Sequence, residues 1–556
     1  MSSDPFARFV KEEITRKQLL ARFTAGGALL ALPGFLAACG GDEEEAAAPP
    51  PPAETGGGAT APAETAEETG GGAAGGRFTM ARNEEPLSLD PIIPSDNGSI
   101  WVIYQIFDQL TTVNEDSSGI VPSLAESWDI SEDGTIYTFH LRQGVSFSDG
   151  APMTVDDVVF SLQRVFDPKG SAYSFLFGPV SSVEAPDDST VVVTLKNAFA
   201  PLLENLNVFP ASIVPRAKVE PDPEGFAQAP IGTGPFALQE FSKGQFVHLV
   251  RNEHYWKPDR PIVDEVMIPY VPDDNTRILK LQAGEVDAAV GIPYAQIEQL
   301  DASDDVDVLI EPLFRFDGIW LNNAEAPLDD VKVRQALNYA TDKESIITNV
   351  LFGHAEVANH MMPKMRYWRE DVQPYPYDLD KAKQLMSESS AADGFTLPLV
   401  TYAGDSIVAQ VAQIVKESWA QIGVTVEIEA LDIGTAYTNF SQFNYTAGAN
   451  WYITSDVTAP DELAAIQFDY SAVGGTKSFF TQYKSDEATA LVKQAAEATD
   501  EEVRAKAFGD LQQLVMDDAP MVALYFTPAR TGLRTNVHDF HTVKTAWWRL
   551  EDVSLA

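Results

Sequence analysis

The chain has one cysteine, Cys39, in 556 residues. Without a second thiol an internal disulfide is excluded, as is a thiol-based redox pair. Basic residues are scarce: 38 Lys and Arg stand against 82 Asp and Glu, for a formal net charge of −44. A chain so poor in cations cannot neutralise a phosphate backbone, which excludes nucleic-acid binding. The carboxylate surplus implies a solvated acidic surface and, secondarily, a preference for cationic ligands. No apolar run reaches the roughly 20 residues of a membrane span. The Gly-x-Ser-x-Gly elbow and the His-Glu-x-x-His pair are absent, and no cysteine lies in the body to act as nucleophile. Those absences argue against an enzyme, leaving a secreted hydrolase as the reading of a different class. His354 and His360, beside Met361 and Met362, form no compact ligand pattern, so neither a metal nor a cofactor is expected.

The N-terminus is organised around the one cysteine. Lys11, Arg16, Lys17 and Arg22 precede an apolar stretch from Phe23 to Leu36, and small residues lead into Cys39. That stretch is too short to span a membrane but has the length of a signal-peptide core. Leu36-Ala37-Ala38-Cys39 resembles the lipobox of bacterial lipoproteins. The resemblance implies that residues 1–38 are removed as a signal peptide and that the Cys39 sulfur carries a lipid anchor. Thr15 to Leu20 loosely resembles a twin-arginine signal with Lys17 in one arginine place, so both export routes stay open. Residues 39–76 are Gly, Ala, Pro, Glu and Thr with almost no large apolar residue. Such a segment cannot offset its ordering entropy by burial and reads as a disordered acidic tether, with a reach of roughly 35 Å.

The remaining residues are enough for two or three packed lobes. Ile100 to Phe107 has helical spacing. Tyr137, Phe139 and Leu141 alternate with Thr138, His140 and Arg142, the period of a half-buried strand. Asp129 to Gly134 superficially matches a calcium loop. With His140 where a bidentate Glu is needed, a hairpin turn fits better. Thr154-Val-Asp-Asp157 is a capping box that opens a helix with Val155, Val158, Val159, Leu162, Val165 and Phe166 on one face, stopped by Asp167-Pro168. Gly232-Thr-Gly-Pro235 reads as a tight turn, because Pro235 lacks the N–H that a phosphate cradle needs. Two strand–helix–strand patterns follow, over 263–290 and 395–428, with helices stopped by Gly284 and Gly423. Gly318 to Asn322 reads as a strand between them. Two such units more than 100 residues apart indicate two α/β lobes, with the ligand cleft between them near the carboxyl ends of strands.

These residues match a known pattern. Leu124-Ala-Glu-Ser-Trp128, Asp133-Gly134, Tyr137 to Arg142, Gly144-Val-x-Phe147 and Asp149-Gly150 resemble the signature of family 5 extracellular solute-binding proteins, the peptide, oligopeptide and nickel-type receptors of ABC importers. Asp156 to Ser161, Gly232 to Phe236, Ala283 to Asp287, Val333 to Ala340, Ala519-Pro520 and Leu524-Tyr525 continue the match in order. The resemblance implies a periplasmic-binding-protein-like fold of type II, with an extra strand-rich subdomain. It divides the body into domain I (77–111, 229–315 and 525–556), domain II (112–228) and domain III (316–524). It also implies a lipid-anchored monomer on the outer face of a bacterial membrane, delivering a small solute, foremost a peptide, to ABC permease subunits. An oligosaccharide, a metal complex, an opine-like or another cationic solute are the alternatives.

Peptide-binding members carry Trp-x-x-Asp-x-x-x-Pro, whose Asp pairs with the peptide α-ammonium. Here Asp456 and Pro460 keep the Asp-to-Pro spacing, which points to Asp456. Trp451 stands two residues earlier than the pattern requires, with Ile453 in its place. Trp451 and Tyr452 are candidates for a cleft wall that stacks on the ligand, and Arg366 is the candidate for a peptide carboxylate. A helix N-cap or turn role is the competing reading of Asp456.

Overall fold

The computed structural model describes residues 75–94, 96–171, 173–471 and 478–556, with 450–453 and 478–479 described by backbone alone. The signal, Cys39 and the tether up to Ala74 lie outside the described residues. Among the described residues no helix is long and apolar enough to cross a membrane.

Strand Arg77–Ala81 buries Phe78 and Met80 completely on its inward positions, and it sits inside a seven-stranded sheet. Glu265–Pro269 pairs with it in parallel on one side and Ala288–Val290 in parallel on the other. Helix Asp274–Gln282 links those two flanking strands, opened by Asp273, whose carboxylate accepts from Thr276 N–H at 2.8 Å. The 263–290 pattern therefore forms as expected, but the chain's first strand is inserted into it. The sequence pattern does not mark Arg77–Ala81 as a strand, because five residues hold too few alternations to register.

The Gly232-Thr-Gly234 turn abuts the end of helix Asn97–Ile106. A Cβ on Gly232 would stand 2.0 Å from the Ile106 carbonyl oxygen, and Gly234 N–H donates to that oxygen at 2.9 Å. Both glycines exist for backbone approach.

A six-stranded sheet forms the second lobe, in the order Glu356–Val357, Met521–Phe526, Arg315–Leu321, Ala447–Thr454, Phe395–Tyr402, Val424–Leu431. Phe395–Tyr402 and Val424–Leu431 pair in parallel over eight residues. Helix Ser406–Ala420 joins them, its first turn held by Asp405, which accepts from the N–H groups of Ile407 and Val408. Val408, Val411, Val415 and Trp419 recur at helical spacing and are fully buried. The Trp419 indole donates to Leu337 O at 3.2 Å and Thr341 Oγ1 at 3.0 Å, so its polar edge enters the core satisfied.

A separate four-stranded antiparallel sheet runs Ala125–Ile130, Ile136–Leu141, Thr190–Leu195, Val180–Asp187. Its first hairpin turns at Gly134, φ +68°, where the calcium-like motif lies. Helix Val155–Phe166 packs on it and carries the expected capping box: Asp157 N–H donates to Thr154 Oγ1, and Thr154 N–H donates back to Asp157 at 2.9 Å. The two large sheets are joined by two short crossings, residues 312–314 and 527–528. Those crossings place the site.

Candidate functional site

A cavity of about 170 Å³ lies where the chain crosses between the two large sheets. The crossings supply Leu313, Thr527 and Pro528 to its wall. The seven-stranded lobe contributes Arg82 and Glu84, just beyond the carboxyl end of strand Arg77–Ala81, and Gly291, just beyond Ala288–Val290. From the six-stranded lobe come Thr454, the last residue of Ala447–Thr454, and Asp456, two residues further on. The site thus gathers at the carboxyl ends of strands from both lobes.

Asp456 belongs to a stretch held from below by a second carboxylate. Asp456 N–H donates to Glu462 Oε2 at 2.9 Å, and the Ser455 hydroxyl donates to the same oxygen at 3.3 Å. Glu462 is almost fully buried, whereas Asp456 is half-buried and lines the cavity. Neither carboxylate has a cationic partner among the described residues. Burial pushes the pKa of both above the usual carboxylate range, and the nearby Asp456 charge pushes Glu462 further. Tyr104 and Tyr173 feel the same negative field. Their hydroxyl pKa values rise through burial first and the Asp456 charge second. Helix Asp461–Phe468 follows, but its N-cap is Pro460, without a side-chain cap bond. Asp456 therefore caps no helix, and it lines the cavity.

Cations line the same cavity. Arg82 is 2% exposed, and its guanidinium lies 4.9 Å from the Trp101 ring centre and 4.7 Å from that of Trp548. It donates to Gly98 O at 3.1 Å and pairs with Glu84 at 3.1 Å. Burial lowers its pKa to about 10, still charged at neutral pH. Arg315 lies 3.3 Å from Asp317, which also accepts from the Thr527 hydroxyl. Arg530 completes the set of three guanidinium groups on the lining, against the two carboxylates of Glu84 and Asp456. The preference for cations suggested by overall composition is not repeated inside the cavity.

The remaining candidates fall differently. Trp451 and Tyr452 pair through their backbones with Gly318 and Asp317 in the antiparallel ladder, and their side chains lie outside the described residues. Arg366 does not line the cavity: it pairs with Glu501 at 2.6 Å and lies 3.8 Å from Glu204. His360 is buried and stacked on Trp368 at 3.8 Å between ring centres. Glu462, Arg82, Arg315 and Arg530 were not singled out from sequence. For Arg82, Arg315 and Arg530 the available signal was position alone, just past a strand end or beside a crossing between sheets, and Glu462, within helix Asp461–Phe468, carried none.

Residues 119–474 match the family described as bacterial extracellular solute-binding proteins, family 5 Middle. Heme-binding protein A of Haemophilus influenzae is 32% identical over 475 residues, covering 80% of this chain and 86% of that protein. Glutathione-binding protein GsiB of Pectobacterium atrosepticum is 30% identical over 489 residues, covering 84% and 92%. The ABC transporter-associated periplasmic binding protein DppA of Helicobacter pylori, solved with the peptide STSA, superposes with a TM-score of 0.77 at 27% identity, covering 87% of this chain and 98% of that one. With its two α/β lobes, its cavity at the crossings and these matches, the chain belongs to the family 5 bacterial extracellular solute-binding proteins, the solute-capturing components of ABC transporters.

Proposed function

We infer that this protein captures a peptide-like solute whose ammonium group rests on Asp456, and that it delivers the solute to its permease from a lipid anchor at Cys39. One observation carries the reading: a carboxylate without a cationic partner among the described residues lines the cavity between the lobes. An ammonium brought by the ligand would make a charge-assisted hydrogen bond there, stronger than at the surface because the wall excludes water. The similarity to glutathione-binding and peptide-binding proteins supports the same class, since glutathione is itself a short peptide with a free amine. Closure of the lobes over the solute then reports occupancy to the permease.

The test is binding of a short peptide by isothermal titration. Asp456→Asn should weaken it by about 2–5 kcal/mol, the range for truncating one partner of a buried charge pair. Unchanged affinity would remove Asp456 from the site. Cys39→Ala should move the protein from the membrane fraction to the soluble one and leave affinity intact.

A further inference from the structure

The four-stranded subdomain belongs by chain to the seven-stranded lobe. It departs after helix Asn97–Ile106, which shares a core with Phe78 and Met80, and returns at strand Phe236–Ser242 of the same sheet. Its contacts with the six-stranded lobe are therefore made through space, not along the chain. Three of them stand out. At the subdomain's first hairpin, a Cβ on Gly134 would lie 2.7 Å from Thr499 Cγ2. Further on, Ala200 N–H donates to Ala496 O at 2.9 Å. Glu204, in the short helix Leu202–Asn205, accepts from the Thr458 hydroxyl at 2.6 Å and from Thr458 N–H at 3.2 Å.

The third contact differs in kind from the other two. Glu204 is 5% exposed and Thr458 fully buried, so a carboxylate has left water to meet two donors of the opposite lobe. Arg366 stands 3.8 Å from Glu204, but its Nη2 is committed to Glu501 at 2.6 Å. Val457, beside Thr458, is the one residue of the six-stranded lobe in the subdomain's buried hydrophobic cluster among the described residues. The subdomain thus grips residues 457–458, and Asp456 on the cavity wall comes immediately before them. Resting on the reading that the lobes close over a solute, and on no particular solute, we propose that Glu204 is an interlobe latch. Its bonds to Thr458 favour the closed arrangement of the empty protein and fix the segment that carries Asp456. Glu204 is then a positioning residue that acts through Thr458. Because no ligand group takes part, the latch raises affinity by the same factor for every solute that the closed form accepts.

The test is the distance between two spin labels in the full chain carrying Cys39→Ala. The labels sit on Asp188→Cys in the subdomain and Lys416→Cys in the six-stranded lobe, both exposed positions. Pulsed electron resonance reads the distance distribution of the empty protein. Thr458→Val, which removes the hydroxyl at nearly constant shape, should lower the closed-to-open ratio about tenfold, as expected for one hydrogen bond to a charged group. Thr458→Ser, which keeps the hydroxyl, should retain the original ratio, and Glu204→Gln should shift it in the same direction as Thr458→Val. An unchanged distribution in Thr458→Val and Glu204→Gln overturns the latch. A shift that Thr458→Ser shares also overturns it, because the cause would then be packing. The peptide reading fails separately, when a mixed-sequence tripeptide pool gives no complex in native mass spectrometry while the labels still distinguish the unaltered protein from Thr458→Val.

Discussion

Asp456 and Asp461 lie five residues apart, yet their surroundings are opposite. Asp461 is buried beside Arg504, whose Nη2 donates to it at 2.8 Å. The remaining Arg504 donors are used within the protein, Nη1 on Ala495 O at 2.7 Å and Nε on the Tyr367 hydroxyl at 3.3 Å. Asp456 has the cavity on one side and another carboxylate, Glu462, close behind it. A buried charge neutralised within the chain holds the fold, and removing its partner destabilises the protein. A charge left unmatched on a cavity wall costs the empty protein free energy that a ligand returns on binding.

The two regions should therefore respond differently to substitution. The largest effect belongs to the matched pair. Arg504→Met, which leaves Asp461 buried and alone, should cost about 3–5 kcal/mol in urea unfolding, and the double variant with Asp461→Leu should recover much of it. Ligand affinity of the folded fraction should not change. A loss below about 1 kcal/mol would make the pair no more than a surface bridge.

Next comes His360, buried like Asp461 but neutral and outside the cavity. Burial, partly offset by Gln512, pushes its pKa from 6.5 down to about 4. The unfolded chain takes up this proton at higher pH than the native protein, so the contribution is present above pH 6.5 and is lost as the pH falls toward 4. The loss should reach about 3 kcal/mol at most. His360→Phe, which keeps a ring against Trp368, should remove that part of the pH dependence in paired unfolding curves at pH 7 and 4.5, without altering ligand binding. An identical pH dependence in both proteins would place the titration elsewhere.

The smallest effect lies in the unmatched region and has the opposite sign. Asp456 has a raised native pKa, so its stability contribution is present below the unfolded pKa and is lost as the pH rises through the native one. Asp456→Asn should therefore stabilise the empty protein by on the order of 1 kcal/mol at pH 8, with the gain gone at pH 4. Destabilisation at pH 8 would show that Asp456 has an internal partner after all and would dissolve the contrast with Asp461.

Legibility in the sequence followed the same division. The strand–helix–strand unit over 395–428 is readable because Ile407, Val411, Ile414, Val415 and Ile422 recur as an apolar pattern ahead of Gly423. The capping box at Thr154 is readable because its chemistry is local. Strand Arg77–Ala81 is not, since its placement between two parallel partners depends on contacts more than 180 residues away. Asp456 is pointed to only by the resemblance, through the Asp-to-Pro spacing it shares with peptide-binding members, and the structure adds that it lines the cavity without a cationic partner among the described residues.

The most direct measurement is the identity of the solute that co-purifies with the protein, released by denaturation and read by tandem mass spectrometry. A peptide-like solute with a free amine is the expected result. A neutral sugar, or a metal complex without an amine, would contradict capture through Asp456.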